Sequence, residues 1–107
     1  MSLSVGVVGL GGRGQTQARA VDATGHAVAA GADVDSGARE RFAEAFDAPT
    51  YGDHDALLAA GVDAVVVTTP NAYHAPASVA ALEAGVPVLC EKPLADSLEA
   101  AERIREA

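Results

Sequence analysis

Lysine, cysteine, tryptophan and long apolar runs are all scarce in this chain, and each shortage excludes something. A single cysteine, Cys90, rules out an internal disulfide and suits a reducing compartment. No apolar run approaches the roughly 20 residues that span a bilayer, so no membrane association is expected. The opening Met1-Ser2-Leu3-Ser4-Val5 has no basic residue ahead of it and reaches Gly6 and Gly9 too soon for a signal peptide. A soluble, cytoplasmic protein is expected. Positive charge is also short: 7 Lys and Arg face 15 Asp and Glu, a formal net charge of −8. Such a surface repels nucleic-acid phosphate, so DNA or RNA is not an expected partner. Lys92 is the one lysine among those basic residues. Acidic excess, little lysine and abundant alanine suggest a halophilic source, with a high-GC mesophile as the plainer alternative.

What is present is a pattern of alternating elements. At 107 residues, half of them apolar, the chain fits one domain with its own core. Ser4 to Val8 reads as a buried strand and Gly12 to Ala23 as a helix, closed by the turn signal Asp22-Ala23-Thr24-Gly25. His26 to Asp33 reads as a second strand, weakened by Gly31. Ser36 is the expected cap of a helix running to about Asp47, with Pro49 as its stop. Thr50-Tyr51 is a very short strand and Asp53 to Ala60 a short helix. Asp63 to Thr68 contains a continuous apolar run, the mark of a strand buried on both faces. Ala72 to Ala84 is a helix, Val86 to Cys90 a strand, and Ser97 caps a last helix. Strands alternating with helices imply an α/β fold with a doubly wound parallel sheet.

Gly9-Leu10-Gly11-Gly12-Arg13-Gly14 matches G-x-G-x-x-G where the match carries meaning, between a predicted strand and a predicted helix. Gly9 would make the tight turn, Gly11 would admit a pyrophosphate against the backbone, and Gly14 would let helix pack closely on strand. The helix N-terminus would offer free N–H groups to the phosphates. Asp33 follows Gly14 by 19 residues, at the end of the second strand. A carboxylate there accepts hydrogen bonds from an adenosine ribose and repels a 2′-phosphate, which favours NAD over NADP. Asp35 is the rival for this role. FAD and S-adenosylmethionine are the other ligands this loop serves.

Two further strand ends carry unusual residues. Thr68-Thr69-Pro70-Asn71-Ala72-Tyr73-His74 leaves the fourth strand; there Asn71 reads first as a helix cap and His74 as a first-turn residue near the crevice. Cys90-Glu91-Lys92-Pro93 leaves the fifth. The sole lysine at a buried strand's end suggests chemistry arginine cannot do, because an ammonium is a compact donor whose pKa adjusts. Cys90 reads as core packing. His26 and His54 read as loop residues with no partner at metal-ligand spacing, and no metal is expected.

At these residues the chain resembles the glucose–fructose oxidoreductase / inositol dehydrogenase / MocA (Gfo/Idh/MocA) family. The resemblance spans Val7 to Gly14, Ala32-Asp33-Val34-Asp35, Thr69-Pro70-Asn71 with His74, and Glu91-Lys92-Pro93. It implies a single Rossmann domain over residues 1–107, strand order 3-2-1-4-5, with the family's C-terminal substrate domain absent. It further implies that Gly9, Gly11, Gly12, Arg13 and Gly14 cradle the NAD pyrophosphate and that Asp33 holds the ribose. Thr69, Pro70, Asn71 and His74 would line the nicotinamide side, Glu91 would fix the cofactor, and Lys92 would be the catalytic residue. The implied reaction is hydride transfer between a sugar or polyol hydroxyl and the nicotinamide. Without a substrate domain the chain would bind cofactor and turn nothing over. A homo-oligomer stays among the expected partners, and a stand-alone NAD-binding or sensing module is the alternative function.

Overall fold

The computed structural model describes residues 3–68 and 71–89, with 71–75 as backbone only. Along that span run β1 (Ser4–Val8), α1 (Gly12–Ala23), β2 (Ala27–Ala32), α2 (Ser36–Phe46), β3 (Thr50–Tyr51), α3 (His54–Ala59), β4 (Ala64–Val67), α4 (Asn71–Glu83) and β5 (Val88–Leu89). The strands make one sheet in the order β3-β2-β1-β4-β5, every pair parallel, as expected for a doubly wound fold. The helix expected after Ser97 lies outside the described residues.

Side-chain alternation along the central strands builds a core on each face of the sheet. Val5 and Val66 pack with Val21 of α1. Val7 packs with Ala18 of α1 and Phe42 of α2. Val8, Val65 and Val67 point the other way, into a cluster with Leu57 of α3 and Ala77 and Ala81 of α4. All four residues of β4 are buried, which is why its sequence is an unbroken apolar run. Each fully buried valine contributes about 1.5–3 kcal/mol. Gly31 does not weaken β2 as its composition suggests. A Cβ there would lie 2.7 Å from Phe42 Cε2 and 2.9 Å from Leu10 Cδ2, so those two side chains fill the space a larger residue would need.

Helix ends correct three expectations. Asp35, not Ser36, caps α2: its backbone is extended and its Oδ1 accepts from Gly37 N–H at 3.1 Å. The helix ends at Phe46 because Asp47 adopts the left-handed region (φ 51°), which turns the chain out before Pro49 is reached. α4 starts at Asn71, so that residue is helical rather than flanking.

The amino ends of the strands are tied by polar side chains. His26, expected to be a loop residue, is buried, and its Nδ1 accepts from Leu3 N–H at 2.9 Å. Asp63 Oδ2 accepts from Ser4 N–H at 2.9 Å. Together they hold the start of β1 to the starts of β2 and β4. Among the described residues, no helix is long and apolar enough to cross a membrane.

Candidate functional site

At the opposite edge, where β1, β2, β3 and β4 end, lies a cavity of about 600 Å³. That is within the roughly 300–1,000 Å³ typical of small-molecule pockets. Its first wall is the loop from β1 to α1. Gly9 takes φ +95°, a conformation that strains any L side chain. Its N–H donates to Ala32 O at 2.8 Å, and its carbonyl oxygen accepts from Thr68 Oγ1 at 2.8 Å. The turn is thereby pinned between β2 and the end of β4. Gly14 then sits directly against it: a Cβ would overlap the Gly9 carbonyl oxygen and come within 2.8 Å of its carbon. Helix α1 can approach β1 this closely only without that atom.

Gly11 and Gly12 are different. A Cβ at either would meet no atom within 4 Å, yet both line the cavity. The space they leave is open to a ligand rather than filled by the protein. Gly11 caps α1 without a side-chain hydrogen bond, and no acidic residue stands in the first turn. By contrast, carboxylates cap α2 and α3: Asp35 on Gly37 N–H and Asp53 on Ala56 N–H at 2.8 Å. Those groups use the free N–H donors and would repel an anion. The start of α1 has no such carboxylate and turns its positive dipole end to the cavity, with Arg13 beside it.

The second wall is the end of β2. Asp33 is half-buried and lines the cavity. Its Oδ2 accepts from Leu10 N–H at 2.8 Å and its Oδ1 from Asp35 N–H at 2.9 Å. Its backbone carbonyl accepts from Arg39 Nη1 at 2.7 Å. Each carboxylate oxygen retains a second lone pair, so the group is oriented yet still able to accept from a hydroxyl pair. Asp35, the rival carboxylate, is exposed and occupied as a cap. An extended anion at α1 joined to a vicinal diol at Asp33 is what this arrangement suits.

The expected residues Gly9, Gly11, Gly12, Arg13, Gly14 and Asp33 therefore come together around one cavity. Asn71 and His74 fall in the first turn of α4, with side chains outside the described part. Thr69, Pro70, Cys90, Glu91 and Lys92 lie outside the described residues. Val34, Gly52, Asp53, His54 and Thr68 also line the cavity and were not among the expected site residues. Thr68 could have been found as a polar residue ending an apolar strand. Gly52, Asp53 and His54, at the start of α3, had no signal beyond Asp53's capping pattern, because only strand pairing brings that turn to the cavity.

A family model described as "Oxidoreductase family, NAD-binding Rossmann fold" (GFO_IDH_MocA) matches residues 3–107. The chain belongs to the Gfo/Idh/MocA family. Its relatives in that family include an inositol 2-dehydrogenase of Acidiphilium cryptum, 42% identical over all of this chain and 33% of its own length. An inositol 2-dehydrogenase of Corynebacterium glutamicum is 39% identical over 98% of this chain and 32% of its own. The structure of Lactobacillus casei myo-inositol dehydrogenase in complex with NAD(H) and myo-inositol is similar at a TM-score of 0.77. It is 30% identical, covering 83% of this chain and 28% of that one. The chain thus spans about a third of the length of the curated Gfo/Idh/MocA relatives it matches.

Proposed function

We propose that this chain binds NAD as the cofactor domain of a dehydrogenase acting on a sugar or polyol hydroxyl. The observation that carries the reading is the uncapped start of α1, with Gly11 and Gly12 leaving open space beside it and Asp33 aimed into the same cavity. The α1 amides and Arg13 would hold the diphosphate. Asp33 would accept from the adenosine ribose hydroxyls and repel a 2′-phosphate, which favours NAD over NADP. Thr69, Pro70, Asn71 and His74 are proposed for the nicotinamide side, Glu91 for fixing the cofactor, and Lys92 as the catalytic residue that reaches the substrate hydroxyl. Bound NAD would supply the hydride acceptor.

Residues 1–107 are read as one domain, with the substrate pocket formed by further sequence of the kind the longer relatives carry. The inositol 2-dehydrogenase relatives support a polyol as the substrate class. The acidic, lysine-poor composition fits a halophilic source and no nucleic-acid partner, and the single cysteine fits a reducing cytoplasm.

Calorimetric titration of the folded chain in high salt, first with NAD and then with NADP, tests the reading. NAD should bind more tightly. Asp33→Ser should cut the NAD preference about tenfold or more, the worth of a hydrogen bond to a charged group. No binding of either dinucleotide by a folded chain would overturn it.

A further inference from the structure

We infer that His54 is a base-stacking residue, its imidazole forming the wall against which the adenine ring of bound dinucleotide lies. The inference rests on the dinucleotide reading above and adds to it a residue outside the glycine loop and the acidic strand end. The direction follows from topology. With the diphosphate at the end of β1 and the ribose at the end of β2, the base continues the same path, and the next strand along is β3. The turn leaving β3 is Gly52-Asp53-His54, and all three line the cavity that Asp33 lines.

Within that turn one side chain is suited to a flat, uncharged purine. Gly52 offers none. Asp53 directs Oδ1 to the Ala56 N–H and caps α3. His54 is left, and its backbone is fixed. The cap fixes its backbone as the first residue of α3, and its Nε2 lies 3.5 Å from Asp55 Oδ1. The side chain is 27% exposed, beside an Asp55 side chain at 80%. Val34 adds an apolar surface to the same cavity. It is 85% exposed on the loop after Asp33. Stacking of a base on an aromatic ring is worth about 1–3 kcal/mol by alanine substitution, or roughly 5- to 150-fold in affinity.

The test uses the whole 107-residue chain, its folding checked by circular dichroism. The His54 ring protons, assigned by their loss in the His54→Ala spectrum, are followed by NMR during titration of the wild type. They should shift on adding NAD or ADP-ribose, and stay in place with nicotinamide mononucleotide, which has no adenine. His54→Ala should bind NAD at least about 5-fold more weakly, and His54→Phe should return to within about twofold of wild type. Unmoved His54 signals at saturating NAD, an alanine variant within about twofold of wild type, or a phenylalanine variant that recovers nothing would each overturn stacking. In those three cases the dinucleotide reading stands, because NAD still binds. A folded wild type that binds neither NAD nor ADP-ribose would overturn that reading and, with it, this one.

Discussion

The two edges of the sheet use the same kinds of residue for opposite purposes. At the amino edge, His26 and Asp63 accept from the Leu3 and Ser4 N–H groups and hold the beginning of β1. At the carboxyl edge, Asp33 accepts from the Leu10 and Asp35 N–H groups, and His54 stands nearby at the start of α3. A histidine, and an aspartate that accepts from backbone N–H groups, occur at both. What separates the edges is space: the carboxyl edge opens onto a cavity of about 600 Å³, with glycines at its rim and an uncapped helix start. Residue type and hydrogen bonding therefore do not mark a site here; the arrangement of strand ends does, as in other open parallel sheets.

Substitutions can break this contrast in graded steps. Gly14→Ala has the largest expected effect, because the added atom meets backbone rather than a flexible side chain and α1 must move off β1. A loss of at least about 3 kcal/mol is expected by urea denaturation, at the upper end for overpacked sites. A loss under 1 kcal/mol would show that the close contact is not needed. Gly11→Asp should separate binding from stability. Its backbone (φ −70°, ψ −168°) suits any residue and aspartate caps helices well, so stability should stay within about 0.5 kcal/mol or rise. NAD affinity should meanwhile fall by about 1–4 kcal/mol, as a charge set close to a phosphate would produce. Unchanged affinity would remove the start of α1 from the site. His26→Ala sharpens the comparison from the other edge. It strands a buried N–H at Leu3, at a cost of about 1–3 kcal/mol in stability. NAD binding by the folded variant should be unchanged; weakened binding would mean the edges are coupled.

Parts of this were legible without coordinates because they depend on local repetition. Continuous apolar runs such as Val65-Val66-Val67 announce strands covered on both faces, and the spacing of glycines after Val8 announces a turn into a helix. Errors arose where two residues compete for one local role. Asp35 and Ser36 are both good caps, and the decision went to the residue whose backbone is extended. His26 read as a loop residue because nothing near it in sequence shows that Leu3, 23 positions away, needs an acceptor.

The sequence by itself determined the order of elements, the parallel sheet and the first half of the site. Those follow from hydrophobic periodicity and from glycine's lack of a Cβ, properties each segment carries wherever it is placed. Only the tertiary structure decided that Thr68 pins the glycine turn, that Asp33 is oriented by Leu10, and that the Gly52-Asp53-His54 turn shares the cavity. Each of these joins segments some 20 to 60 residues apart. Crossover connections bring them to one edge, and their meeting is written in the strand order rather than in any one stretch of chain.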